Sequence, residues 1–284
     1  MLPTAPPTQA ATPPTAPFDL PLDFWKRLDG STATIPLSEA TIQAFYPTTF
    51  ASMLPFNHTT TPYAYERLFN AEVDLILVTY PSEQEQAQAE EMGFEMELIP
   101  IVRDALVMLV NVDNPITDLS SEQLRGIYGG EITNWSEVGG NDEEILAFQR
   151  SENSGSQTLF LKLLMEGIEL MKPISEWIMA GMAGLVDAVS SYDNGPASIG
   201  YNMFYYVEEM YGNDQFRLLA VDGVVPDRGT ISRGEYPLGT YYYAVLDADT
   251  PKGAQARELI DWMLSEAAQI IYRAAGYVPL WELQ

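Results

Sequence analysis

The run Leu75-Ile76-Leu77-Val78 constrains the fold more than any other feature of this chain. It is too short for a buried helix, and no polar residue alternates with its apolar ones. Both faces must therefore be covered, as in a parallel strand enclosed between layers of helices. Short apolar stretches recur at residues 145–148, 198–201 and 218–221. Helical patterns lie between and after them, at residues 120–128, 154–166 and 252–264. In the last of these, Ala256, Leu259, Ile260 and Met263 share one face at helical spacing. Strands alternating with helices predict an α/β protein. Two extended segments, residues 99–112 and 236–246, exceed the roughly five or six residues of an ordinary strand. A strand that leaves one sheet and enters another has this length. Two such crossings predict a discontinuous first lobe, residues 18–104 with 237–284, and a second lobe, residues 105–236. The first 17 residues, almost entirely Pro, Thr and Ala, cannot supply a core and read as a disordered tether.

Composition removes whole classes of function. The chain carries 14 basic and 40 acidic residues, a formal charge of −26. Nucleic-acid binding is excluded, because phosphate backbones call for clustered Lys and Arg. No apolar run approaches the roughly 20 residues of a membrane-spanning helix. There is no cysteine, hence no disulfide, no thiolate nucleophile and no cysteine-based metal site. The single histidine, His58, reads as a loop residue. It leaves a Ser-His-Asp hydrolase built on Ser154 or Ser156 with one candidate base and none close in sequence. The expectation is a non-enzymatic protein with no metal and no cofactor. Neither the charged nor the apolar part of a leader peptide is visible ahead of the tether. This suggests a mature extracytoplasmic segment, with a lipid-carrying leader cysteine absent from the sequence.

Three segments place hydroxyl or glycine residues where a helix begins. Asp29-Gly30-Ser31-Thr32 leads through Pro36 into a helix reaching Phe45. In Thr59-Thr60-Thr61-Pro62, Thr61 reads as the N-cap and Pro62 as the first helical residue. Arg150-Ser151-Glu152-Asn153-Ser154-Gly155-Ser156 opens the helix that follows. A helix start offers unsatisfied N–H groups and the positive end of the helix dipole, which suit an anion. Hydroxyls add donors, glycine admits close backbone approach, and Arg150 supplies countercharge. Taken singly, each segment is an ordinary structural cap. The case rests on three together, beside one arginine, at the carboxyl ends of strands where ligands of open α/β sheets collect. The aromatic segments, Tyr201 with Phe204 to Tyr206 and Tyr241 to Tyr243, read as core or seam rather than a stacking surface. The pairs Glu143-Glu144 and Glu208-Glu209 read as solvated faces.

These residues carry a resemblance. Residues 127–140, Ile-Tyr-Gly-Gly-Glu-Ile-Thr-Asn-Trp-Ser-Glu-Val-Gly-Gly, resemble a hallmark stretch of the phosphate-binding proteins of ABC importers. Residues 150–156 are similar to that family's anion loop, residues 29–32 to its Gly-Ser-Thr loop, and residues 234–238 to its return crossing. The resemblance covers roughly residues 27–275. It implies a two-lobed type II periplasmic-binding-protein fold with two extended hinge crossings. It also implies a monomeric receptor that delivers inorganic phosphate or a similar oxyanion to a membrane permease. The family's anion ligands would fall here on Arg150, Ser154, Gly155 and Ser156 from the second lobe, and on Ser31, Thr32 and Thr61 from the first. Trp135 would be structural.

One position departs from the family pattern. Five residues beyond Asp74, where the family's phosphate receptors carry a ligand aspartate, this chain has Thr79. A carboxylate accepts a hydrogen bond from protonated phosphate and repels sulfate, whereas a threonine hydroxyl both donates and accepts. The expectation is an oxyanion site with looser discrimination against sulfate. Glu152 or Asp29 could supply an acceptor, although pairing with Arg150 and capping the following turn are their simpler roles. Other readings compatible with the sequence are an extracellular sensing or adhesion module on the same fold, and a receptor for a sulfate-like anion or small organic solute.

Overall fold

The computed structural model describes residues 18–46, 57–172, 178–179, 181–191, 195–212 and 214–283. The expected tether, residues 1–17, lies outside them. Eleven strands are present among the described residues: β1 (Leu28–Gly30), β2 (Leu75–Val78), β3 (Met96–Asn111), β4 (Asp118–Leu119), β5 (Leu146–Ala147), β6 (Gln149–Arg150), β7 (Ile178–Met179), β8 (Ser198–Met203), β9 (Phe216–Leu218), β10 (Ala220–Val221) and β11 (Gly239–Asp247). The main sheet has the order β1-β2-β11-β3-β8-β5, with β9 also paired to β3.

The run at 75–78 is fully buried, as its composition requires. Leu75 and Leu77 enter the main core, while Ile76 and Val78 face a second cluster with Ala64, Tyr65, Leu68 and Phe69. Its pairing is mixed rather than purely parallel. β2 runs parallel to β1 and antiparallel to β11. Both faces are covered all the same, so an apolar run reports burial more directly than strand direction.

β3 is the long crossing. Its residues Met96 to Ala105 pair with β11, and Leu106 to Val110 pair with β8. Pro100 interrupts the first ladder: the register slips between Tyr242 and Tyr243, leaving Ile101 without a β11 partner. Proline has no N–H to give a ladder, and a bulge absorbs that loss. At the point of crossing, Asp104 Oδ1 accepts from Ala105 N at 2.8 Å and Tyr205 N at 3.1 Å. A buried carboxylate thus satisfies backbone donors where the strand changes partners. The chain returns beside the same point, where Leu106 N donates to Leu238 O at 2.9 Å just before β11 begins.

Several expected elements shift for local reasons. The helix expected at 154–166 is Gly155–Leu163, with Ser154 as N-cap. The one expected at 252–264 starts later, at Gln255, and buries the face named from the sequence: Ala256, Leu259, Ile260 and Met263. The strand expected at 218–221 is divided at Leu219 between β9 and β10, which belong to different sheets. The stretch resembling a family hallmark forms the helix Ser121–Gly129, capped at Gly130 in the left-handed region, and a 3-10 turn Trp135–Val138. Trp135 is buried and donates from Nε1 to Ala197 O at 2.8 Å, a packing role. The aromatic segments are core too: Tyr201, Phe204, Tyr205, Tyr206 and Tyr242 are all buried, whereas Tyr241 and Tyr243 are half-buried.

Candidate functional site

A cleft of ≈ 580 Å³ opens between the two parts of the main sheet. All eight residues singled out from the sequence line it: Ser31, Thr32, Thr61, Thr79, Arg150, Ser154, Gly155 and Ser156. Ser31 and Thr32 follow β1, and Thr79 follows the parallel strand β2. Thr61 stands at the head of the helix Thr61–Phe69, and Arg150 to Ser156 pass from β6 into the helix Gly155–Leu163. The carboxyl ends of parallel strands thereby deliver their loops to one place.

Each loop is held by identifiable bonds. Asp29 is 0% exposed. Its Oδ1 accepts from Gly30 N at 2.6 Å and Thr59 N at 2.8 Å, its Oδ2 accepts from Thr59 Oγ1 at 2.9 Å, and Arg67 pairs with it. Asp29 therefore ties the first two loops together from behind and is not part of the cleft lining. Gly30 is required by space, because a Cβ there would lie 2.6 Å from both Leu77 O and His58 Cε1. His58 does precede a helix in a loop, yet it packs closely. Nδ1 donates to Ser31 O at 2.7 Å, which leaves Nε2 to accept from Ser38 Oγ at 3.0 Å. Burial lowers its pKa, consistent with this neutral tautomer. With both ring nitrogens engaged and no place among the described lining residues, the imidazole buttresses the loop.

Four helical starts meet at the cleft. Thr32–Thr34 forms a 3-10 turn leading into the helix Ile35–Phe45, and the others are Thr61–Phe69, Gly155–Leu163 and Met182–Ser190. Thr61, expected as the N-cap, proves to be the first helical residue; the N-cap is Thr60, one position earlier, at φ 116°. Ser154 caps its helix by accepting from Gln157 N at 3.4 Å. Ser31, Thr60 and Gly181 make no side-chain cap bond among the described residues. The fourth start, Gly181-Met182, was not legible beforehand, and neither were Tyr242 and Met203, which also line the cleft. A glycine ahead of an apolar helix is a signal too common to single out.

Arg150 is 7% exposed. Its Nε donates to Met179 O at 3.0 Å and its NH1 to Ser156 Oγ at 3.1 Å, so the guanidinium is fixed in orientation. Burial lowers its pKa, the mark of a charge held out of water. Behind it, Gln157 Oε1 accepts from Arg150 N at 3.2 Å and also from the Tyr201 hydroxyl. Thr79 is 2% exposed, and its Oγ1 makes no hydrogen bond among the described residues. A Cβ built on Gly155 would collide with that oxygen and lie 2.9 Å from Thr61 Oγ1. Glycine at 155 lets the opposing loops meet. Among the described residues of the lining, the one carboxylate is Glu152, which is exposed at the rim.

Comparison with known proteins fits this geometry. A family model described as the PBP superfamily domain matches residues 5–267. The chain belongs to the PBP superfamily. Among its curated relatives within or near this superfamily, the phosphate-binding protein PstS of Bacillus subtilis is 30% identical over 176 residues, 62% of this chain and 55% of that protein. The protein SphX of Synechococcus elongatus is 25% identical over 265 residues, covering 89% of this chain and 76% of SphX. A crystal structure described as a phosphate ABC transporter substrate-binding protein with bound phosphate, from Clostridium perfringens, superposes with a TM-score of 0.70 at 24% identity, covering 89% of this chain and 98% of that one. An ABC-type phosphate transport receptor from Vibrio cholerae gives 0.67 at 22% identity, covering 88% and 98%. The fold is therefore the α/β, two-lobed type II architecture of these receptors. No helix among the described residues is long and apolar enough to cross a membrane.

Proposed function

We propose that this chain is an extracytoplasmic solute-binding protein that captures a tetrahedral oxyanion, phosphate first, between its lobes and presents it to an ABC permease. The observation that carries this reading is the convergence of four helical starts and the buried Arg150 on a cleft whose described lining holds a single, exposed carboxylate. Such a wall is rich in donors and suits an anion stripped of water, whose transfer costs several kcal/mol unless charge and hydrogen bonds replace the lost hydration. The printed identities of the relatives from Bacillus subtilis and Clostridium perfringens support phosphate as the first ligand to try.

In this reading Ser31, Thr32, Thr61 and Thr79 are ligands from a first lobe of residues 18–104 and 237–284. Arg150, Ser154, Gly155 and Ser156 are ligands from a second lobe of residues 105–236. Each open lobe holds half of the donors, and the anion stabilises closure through contacts that exist only when both halves surround it. Binding proceeds without chemistry: the chain's one imidazole is engaged with Ser31 and Ser38 and does not line the cleft. In this reading the protein acts as a monomer outside the cytoplasm.

Titration calorimetry with phosphate and sulfate tests the reading. Phosphate is expected to bind, and sulfate is expected to compete, because Thr79 gives the site a hydroxyl where a carboxylate would repel it. Heat from neither anion would overturn the oxyanion reading. Strict rejection of sulfate would overturn the role given to Thr79 alone.

A further inference from the structure

Beside the anion cleft, whose lining Asn153 shares, a second set of contacts joins the same two parts of the molecule. The turn at 151–154 projects Asn153 across the gap, where its Nδ2 donates to Gln84 Oε1 at the head of the helix Glu83–Met92. Asn153 has φ 61°, in the left-handed region that asparagine tolerates better than most residues. Nine residues further on in the chain, Lys162 brings its ammonium over the ring of Tyr80, 3.7 Å from the centroid. Tyr80 is itself backed edge-to-face by Tyr243 of β11, with centroids 6.1 Å apart. Both contacts flank one cavity, bounded by residues 80–86 on one side and 152–168 on the other.

The geometry points to a closure clasp: Asn153 with Gln84, and Lys162 with Tyr80, hold the lobes together and set how long a captured anion stays, without touching it. This rests on the receptor reading above. The mechanical link is short. Asn153 lies between Arg150 and Ser154 on one tight turn, and Lys162 rides on the helix that begins at Gly155. Any ligand that orders this turn and helix against the first lobe also brings the clasp residues into register. The contacts exist only when the lobes meet, so they stabilise the closed form and leave the open form unchanged. Their effect belongs in the dissociation rate, because association is set by the open cleft.

The test uses phosphate, stopped-flow kinetics and calorimetry. Asn153→Gly keeps the left-handed backbone and deletes the amide, and Lys162→Gln deletes the cation. Each is expected to raise the dissociation rate about two- to fivefold, the scale of an exposed cation–π or neutral hydrogen bond, with association unchanged. The double variant combines the two losses, and Lys162→Arg restores the second. Thermal unfolding of anion-free protein controls for simple destabilisation and should not move for Lys162→Gln. Dissociation rates within error of the parent for the double variant would overturn the clasp. If the parent gives no heat with phosphate or sulfate, the receptor reading fails. The clasp, which acts only on closure around a captured anion, is then overturned with it.

Discussion

Replacing Gly155 by alanine separates closure from folding. The added methyl would collide with Thr79 Oγ1 and sit 2.9 Å from Thr61 Oγ1. Neither threonine can swing away freely, since they are 2% and 5% exposed. The backbone of Gly155 lies outside the left-handed region, so alanine adds no torsional strain and favours the helix it begins. The penalty is therefore overpacking between opposing loops, about 1–3 kcal/mol, and it falls on the closed form alone. Phosphate affinity should drop by about 5- to 150-fold, while the unfolding temperature of the anion-free protein stays near that of the parent. The double variant Gly155→Ala/Thr79→Ala should recover part of the loss, because it relieves the closer of the two clashes. The new methyl would then clear the Cβ at 79, at 3.5 Å, and keep only its 2.9 Å approach to Thr61 Oγ1. Calorimetry on the parent, the single and the double variants decides the matter. A Gly155→Ala protein that binds as tightly as the parent would refute the claim that these loops meet at Gly155 around the ligand.

Arg150→Ala should weaken phosphate binding by about 2–5 kcal/mol, the scale for losing one member of a buried charge pair, as read by calorimetry. The charge of −26 repels an approaching anion. Stopped-flow association should therefore be slower in dilute buffer than at physiological salt, where the screening length is about 8 Å. Asp104 gives a test on stability. Burial pushes its carboxyl up to about 7, so the native state keeps a proton that the unfolded state releases nearer 4. Stability should fall as pH rises between those values, by up to about 1.4 kcal/mol per pH unit. Asp104→Asn keeps an acceptor for Ala105 N and Tyr205 N and should flatten that slope in urea titrations across pH 4.5–7.5; parallel slopes for the two proteins would refute this.

The sequence was most informative where burial and local chemistry coincide. The run at 75–78, the helical face at 256–263 and the helix starts near 120 and 154 are decided by near neighbours, so they could be read directly. Ser31, Thr32, Thr61, Ser154 and Ser156 reach one cleft for a similar reason: small hydroxyl residues at helix starts report a local geometry that the strands then gather, whereas Thr79 was reached through the family resemblance. What escaped depends on distant partners. The antiparallel pairing of β2 with β11 joins residues far apart in the chain, and no local pattern encodes it. The division at Leu219 follows from β9 joining β3 while β10 joins β4. Nothing around His58 announces that Ser31 O and Ser38 Oγ will occupy its ring nitrogens. Thr60 rather than Thr61 precedes the helix, at a positive φ that nothing in a run of three threonines signals.

The position of β11 between β2 and β3 reaches beyond binding. Among the described residues, 239–247 form the bridge between the two earlier strands, so the sheet stays split there until β11 has left the ribosome. Until then β2 and β3 expose unpaired edges, which other chains can join. The same order of events keeps the polypeptide loose during synthesis. Removing the last forty-odd residues would therefore not trim a terminus but leave the sheet open at its middle.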